Sequence, residues 1–172
     1  MKPLKNKTYL TVSLLGKCMK LDVKYRENPV AEINKKDNKL ELILPKKYKD
    51  IKDKTIINMA IEKLYDEVSK RELANSMEEV RMIMGYAPED YKIKRMRDTF
   101  VKINSKKEIT INPDIVRFNK KVIETTLIQY FCKLKFKDGS IAYKEELIRG
   151  LEKYETMKFG LIKTYKVLKN VS

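Results

Sequence analysis

The stretch VIETTLIQYFCKLKFKDGS, residues 122–140, places polar side chains on a helix that otherwise has a buried pattern. Gln129 and Lys133 are one helical turn apart, with Tyr130 and Cys132 beside them. A nucleophilic cysteine needs a base such as histidine to form its thiolate, and the sequence contains no histidine. We therefore expect Cys132 to be a packed helix residue without a catalytic role.

Carboxylates near this helix form no D-x-D or E-x-x-E pair on an apolar face, so each is expected to be a solvated helix or turn residue. These residues are Asp114, Glu124, Asp138, Glu145 and Glu146. The sequence also lacks G-x-x-x-x-G-K and G-x-G-x-x-G, and it has five glycines in all. A phosphate-cradling loop is not indicated.

The net charge of the chain indicates which classes of partner it could bind. The 172 residues include 39 basic and 24 acidic side chains, a net charge of +15, which favours phosphate backbones, acidic proteins or anionic surfaces. A sequence rich in lysine through compositional bias would show the same excess. Hydrophobic residues make up 42%, which is typical of a globular chain.

The cysteines and the lengths of the apolar runs indicate the cellular compartment of the protein. Cys18 and Cys132 are far apart and form no C-x-x-C motif, which favours a reducing, cytoplasmic setting. The apolar run YLTVSLLG is too short for a membrane span and has no cleavage site after it. We expect no signal peptide and no membrane association.

Alternating patterns between residues 8 and 45 predict four strands, with RENP and NKKDNK as turns. From residue 53 a helical period begins, as one long helix or two with a bend near KRELAN, and Gly85 is the predicted stop. The apolar positions of this period are Ile57, Ile61, Leu64, Val68, Leu73, Met77, Val80 and Met84.

Three further strands are predicted in YKIKRM, TFVKIN and EITINP, with a hairpin turn over 104–107. A helix over about 119–135 follows, then a turn in which Ser140 caps the helix IAYKEELIRGLEKY, and a last amphipathic stretch. The apolar face predicted for the first of these helices is Val122, Ile123, Leu127, Tyr130, Phe131 and Leu134. The expected fold is α+β, a single domain over 1–172 with a β-rich part at 1–52 and the remaining elements at 53–172.

The segments KIKRMRD, ITINPDIV and CKLKFKDGS, together with LELILP and the order of elements, resemble the YgjP-like family of small zinc metallopeptidases. The resemblance covers most of the chain and implies a zincin-like core. In that family a W-G-S-C strand precedes the I-T-L-N strand, and a helix carries H-E-x-x-H with a third histidine shortly after it. The two histidines clamp zinc from one helix face while the glutamate acts as general base.

In the register that the resemblance implies, Phe100, Val101, Lys102 and Ile103 stand at the W-G-S-C positions. The zinc-ligand positions hold Gln129, Lys133 and Gly139, and the position of the catalytic glutamate holds Tyr130. Glutamine is a poor zinc ligand, a lysine ammonium repels a dication, and tyrosine is not a suitable base. We expect neither cofactor nor hydrolytic activity.

Lys133 is expected to put its ammonium near the place of the lost metal and to pair with a carboxylate or with carbonyls of the next helix. Glu145 and Glu146 are the nearest candidates in that helix. The alternative, given equal weight, is that the helix has rotated or that the cleft is open to solvent.

Basic residues are dense between positions 92 and 107, with Phe100 interleaved and Tyr91 just before them. They are Lys92, Lys94, Arg95, Arg97, Lys102, Lys106 and Lys107. Alternation predicts Lys92, Lys94 and Met96 on one face and Ile93, Arg95 and Arg97 on the other. Such strands suit single-stranded nucleic acid, although lysines also protect strand edges from pairing.

The function expected from these observations is that of a pseudoenzyme that binds a protein partner through the former substrate cleft and a sheet edge. A basic, nucleic-acid-associated protein is the alternative, and a hydrolase with unrecognised chemistry is the residual one.

Overall fold

The computed structural model describes residues 10–27, 30–49 and 54–169, and their side chains as far as residue 159. Strands form two small sheets and helices make up most of the rest, so the predicted α+β class is confirmed. The backbone divides into two compact units, one of Met1–Glu72 with Pro113–Lys120 and one of Leu73–Asn112 with Lys121–Ser172. The single domain over 1–172 stays a prediction. No helix within the described residues is long and apolar enough to cross a membrane.

The first unit contains a four-stranded sheet in the order β1-β2-β4-β3. The alternating segments do form strands, although the start of the first segment and part of the RENP turn lie outside the described residues. Strand β2 runs antiparallel to β1 and parallel to β4, and β3 is antiparallel to β4. Bounds are β1 Leu10–Leu14, β2 Lys17–Arg26, β3 Glu32–Lys36 and β4 Lys39–Pro45.

The turn between β1 and β2 requires glycine for two reasons. Leu15 and Gly16 have φ values of 50° and 76°, the left-handed pair of a tight hairpin turn. A Cβ on Gly16 would lie 2.6 Å from Cβ of Asn119, in the same unit. The turn is also held by its backbone, since Leu15 N donates to Val116 O at 2.7 Å.

Residues Thr55–Met84 form one continuous helix, α1, so the first of the two predicted alternatives is correct. KRELAN contains no glycine or proline to break it. Gly85 ends the helix as predicted, with φ of 77° and its N–H donating to Arg81 O at 2.9 Å. Leu64, Leu73, Met77, Val80 and Met84 of the predicted apolar positions are buried, while Ile57, Ile61 and Val68 are half-buried.

The second unit contains a three-stranded sheet in the order β5-β7-β6, with β5 at Tyr91–Ile93, β6 at Val101–Ile103 and β7 at Ile109–Ile111. These strands are shorter than the predicted segments. Asn112 accounts for this in part, because its Nδ2 donates to Met96 O at 2.7 Å and holds 94–100 as a loop. Pairing continues only as far as Lys94, whose N–H donates to Ile111 O at 2.9 Å, so the predicted alternation of residues 92–97 is wrong beyond Lys94.

The hairpin turn at 104–107 is confirmed. Asn104 Oδ1 accepts the backbone N–H groups of Lys106 and Glu108, both at 3.0 Å. Lys107 has φ of 61°.

Two helices complete the second unit: α2 (Lys120–Lys135) and α3 (Ile141–Lys169). Ser140 caps α3, since its Oγ accepts Tyr143 N–H at 3.1 Å. The two helices predicted after Ser140 are one. Gly150 of α3 permits close packing against the last residue of α1, because a Cβ there would lie 2.7 Å from Met84 Sδ.

Candidate degenerate metallopeptidase site

The carboxyl-terminal half of α2 positions three of the four predicted site residues. Gln129 is exposed, and Tyr130 and Lys133 are half-buried. Their neighbours Phe131 and Cys132 are fully buried, which anchors the opposite side of the helix. The predicted apolar face is therefore correct at Ile123, Leu127, Phe131 and Leu134, and wrong at Val122, which is 41% exposed.

Lys133 is the most constrained of these residues. Its Nζ lies 2.7 Å from Asp138 Oδ2 and 5.0 Å from the centroid of the Tyr130 ring. The hydrogen bond with Asp138 raises the pKa of Lys133, against the opposing effect of partial burial. The side chain is thus held as a cation above an aromatic face.

The partner predicted for Lys133 is wrong. The carboxylate is Asp138, in the turn after α2, and not Glu145 or Glu146 of α3. Glu146 has other donors: Tyr86 Oη at 3.1 Å, and Arg149 through Nε at 2.8 Å and Nη2 at 2.6 Å. Arginine one turn along α3 offers a planar fork to this carboxylate, which a single ammonium does not match. Glu145 is exposed.

The side chains at the predicted metal positions do not fit a zinc ion. Gln129 offers a neutral amide, and Lys133 offers a cation already held by Asp138. Gly139, in the turn with φ of 76°, has no side chain to donate. Within the described part of the chain, no three His, Cys, Asp or Glu residues are placed to hold a metal ion together.

Cys132 is buried, as expected for a packed residue. Burial, with a smaller effect from the Glu146 carboxylate, raises its pKa to about 11. Burial also raises the pKa of neighbouring Tyr86, whose ring lies 3.8 Å beneath Lys135 Nζ. The thiol therefore stays protonated at neutral pH and is a poor nucleophile.

Glu124 was expected to be solvated, and this is wrong: it is 1% exposed. Tyr154 Oη donates to Glu124 Oε2 at 3.0 Å, and Lys158 Nζ lies 4.0 Å from the same oxygen and 2.6 Å from Glu79 Oε2. Burial raises the pKa of Tyr154, and the bond to Glu124 adds to this. The position of Glu124 between Ile123 and Leu127 on the apolar stripe was the available signal.

The basic residues of 92–107 are only partly brought together. Lys92 and Lys102 flank Thr110 in register across the three-stranded sheet. Lys94 directly follows β5, Lys106 and Lys107 lie in the hairpin turn, and all of these lysines are exposed. Arg97 is exposed in the loop before β6, and Arg95 of the same loop is half-buried.

Comparison with known proteins supports the family resemblance. Searches of curated proteins and of solved structures found no match. A family model described as "YgjP-like, metallopeptidase domain" matches residues 2–161, which is nearly all of the chain. The protein therefore belongs to the YgjP-like metallopeptidase-domain family.

Proposed function

We propose that this protein is a catalytically inactive member of its family, and that it binds a protein partner in an extended conformation along the free edge of strand β6. The first half of the proposal rests on the residues at the former site. The second half rests on the hydrogen-bonding direction of β6.

Loss of activity follows from the groups available. A zinc hydrolase needs neutral or anionic metal ligands and a base that reaches the metal-bound water. Gln129, Lys133 and Gly139 supply no such ligand set, and Tyr130 stands where the base is needed. Because Asp138 stabilises Lys133 as an ammonium, a dication at this place would meet a like charge.

Binding along β6 is carried by one observation. The hydrogen bonds from Asn112 N to Phe100 O and from Asn104 N to Glu108 O flank β6 and place its ladder bonds on even-numbered residues. Val101 and Ile103 therefore direct their backbone groups away from β7, towards the edge of the sheet. An extended peptide would pair with these groups by adding a strand.

The chemistry of this edge suits a short, specific contact. Thr99 Oγ1 donates to Val101 O at 2.9 Å, so this carbonyl already accepts one hydrogen bond. The backbone of Ile103 would therefore pair more strongly with an added peptide strand. The Val101 side chain is buried and fixes the strand, while Lys102 is exposed. Main-chain pairing would give affinity, and side chains beside β6 would select the partner.

Inactivity is tested with the purified protein by metal analysis and by hydrolysis of an unfolded protein substrate such as casein. The expected result is no bound zinc and no hydrolysis, with or without added zinc. Tightly held zinc in stoichiometric amount, or hydrolysis that a chelator abolishes, would overturn the inactivity proposal. Hydrolysis that a chelator leaves intact would favour a hydrolase with other chemistry.

Partner binding is tested by selecting a displayed library of extended peptides on the immobilised protein and on two variants. Ile103→Pro removes the outward N–H and is tolerated on an edge strand, whereas Ile103→Val keeps the N–H. Selected peptides should bind the wild type and Ile103→Val in about 0.5 M salt, where exposed charges are screened, and should lose at least tenfold in affinity for Ile103→Pro. Equal affinity for both variants would contradict binding at this edge.

A further inference from the structure

One face of the β5-β7-β6 sheet is exposed and basic. The register places Lys92 of β5 beside Thr110 of β7, and Thr110 beside Lys102 of β6. The other face is apolar, with Val101, Ile109 and Ile111 nearly inaccessible to solvent. Because side chains alternate along each strand, Lys92 and Lys102 lie on the side opposite to these apolar residues.

The next row of the ladder adds another lysine and an aromatic ring. Lys94 N donates to Ile111 O at 2.9 Å, and Asn112 N donates to Phe100 O at 2.7 Å, so pairing continues one residue beyond the strands. Alternation then puts Lys94 and Phe100 on the same face as Lys92 and Lys102. Phe100 is 38% exposed. We call Lys92, Lys94, Phe100, Lys102 and Thr110 the basic sheet face.

The positive charge of this face is only partly neutralised. Lys92 Nζ lies 3.4 Å from Glu108 Oε2, and the same oxygen accepts Asn104 Nδ2 at 2.8 Å. Among the described residues, no carboxylate lies within ion-pair distance of the ammonium groups of Lys94 or Lys102. Lys106 and Lys107 of the hairpin turn extend the charge beyond the strands.

We propose that the basic sheet face binds single-stranded nucleic acid, with lysines on the phosphates and one base stacked on Phe100. Two strand spacings separate β5 from β6, about 10 Å, so lysines on both sides reach successive phosphates of a strand laid across β7. A π-face next to lysines on an open sheet suits an unpaired base, which duplex DNA does not offer. The net charge of +15 favours encounter with a polyanion.

Edge protection explains lysines on β5 and β6, since both are edge strands. It does not account for an exposed phenylalanine beside them. Nor does it predict any dependence of oligonucleotide binding on Lys102 in particular. The two explanations are therefore separated by measuring binding.

The experiment measures fluorescence anisotropy of labelled oligo-dT and oligo-rU of about 15 nucleotides over a range of salt concentrations. Each lost phosphate contact reduces the slope of log K against log salt by about 0.7 for single strands. Lys102→Ala should reduce the slope by this amount, and Lys70→Ala, the same change on the exposed surface of α1, should leave it unchanged. Equal effects of the two changes would overturn the proposal.

Stacking is tested separately with Phe100→Ala, which should weaken oligonucleotide binding about tenfold without changing the salt slope. The backbone bond from Asn112 to Phe100 survives this substitution, and far-ultraviolet circular dichroism checks that the variant is folded. Unchanged affinity, or binding of duplex DNA or polyglutamate as tight as that of the oligonucleotides, would contradict the proposal.

A difference in affinity between oligo-dT and oligo-rU would show whether the basic sheet face prefers DNA or RNA. Ile103→Pro should leave oligonucleotide affinity unchanged, since it alters the edge and not the basic sheet face. The nucleic-acid and protein-binding proposals therefore fail separately.

Discussion

Lys133 Nζ lies 2.7 Å from Asp138 Oδ2, so that the lysine predicted to stand at a metal-ligand position of the family forms an ion pair with the turn that follows its helix. The Tyr130 ring, at the position predicted for the catalytic base, lies beneath the same ammonium, with its centroid at 5.0 Å. Residues that would be separate parts of a hydrolytic site therefore form one cation–carboxylate–aromatic cluster.

The ion pair should contribute modestly to stability in a pH-dependent way. Asp138→Asn is expected to lower the free energy of unfolding by less than about 1 kcal/mol, because Asp138 is 63% exposed and solvent screens the pair. The pKa of Lys133 is raised in the folded state, so this contribution is complete below the ordinary lysine pKa and is lost as pH rises through the raised value. Urea denaturation of both proteins from neutral to strongly alkaline pH measures it, and a difference that grows with alkaline pH would contradict this assignment.

Restoring the family's residues should restore metal affinity. The variant with Gln129→His, Tyr130→Glu, Lys133→His and Gly139→His is expected to bind zinc, because it supplies three imidazoles and removes the ammonium. Gly139 has open space around an added Cβ, but its φ of 76° costs the new side chain about 1–2 kcal/mol. Calorimetric titration with zinc is the measurement, and the control variant keeps Lys133 and carries the other three changes. Equal zinc affinity of the two variants would contradict the inhibitory role of Lys133.

The two cysteines should differ in reactivity. Cys18 is exposed, whereas Cys132 is buried with its pKa raised to about 11. A thiol reagent at neutral pH should modify one thiol rapidly in the folded protein and the second after denaturation. The variant Cys18→Ser should show no rapid phase. Rapid modification of this variant would show that Cys132 is accessible.

The buried Glu124 should depend on its tyrosine partner. Tyr154→Phe removes the hydroxyl that donates to Glu124 Oε2 at 3.0 Å, and we expect it to cost roughly 1–3 kcal/mol of unfolding free energy. The matched control is Tyr143→Phe, the same change at another buried tyrosine of α3 that makes no bond to Glu124. Urea denaturation compares them, and an equal loss in both would mean that the Glu124 bond contributes nothing specific.

Two glycines with the same backbone conformation should respond differently to substitution. Gly16 and Gly85 have φ values of 76° and 77°, but an added Cβ meets Asn119 at 2.6 Å only at Gly16. Gly85→Ala should therefore cost about 1–2 kcal/mol from the backbone alone, and Gly16→Ala should cost more because Asn119 must also move. Thermal unfolding of both variants measures the order, and equal losses would show that the close approach at Gly16 relaxes without cost.

Local pattern determined most of the elements. Alternation predicted the four strands of the first sheet, and helical periodicity with Gly85 predicted the course and end of α1, because these signals depend on neighbours along the chain. The resemblance carried by CKLKFKDGS and the other quoted segments likewise predicted the family, which the family model confirms. The residues assigned to its site positions stay a prediction. Strand length in the second sheet was not readable, because Asn112 holds the adjoining loop through a contact 16 residues away along the chain.

The sequence by itself determined which chemical groups exist: no histidine, a lysine at position 133 and a glycine at position 139. Only the tertiary structure decided how they pair. Lys133 pairs with Asp138 and not with Glu146, because Glu146 already forms an ion pair with Arg149 of the same helix, α3. Glu124 of α2 is buried, and its carboxylate lies against Tyr154 and Lys158 of α3. Residue types follow from composition, but partner choice depends on distances set by packing, which no local pattern encodes.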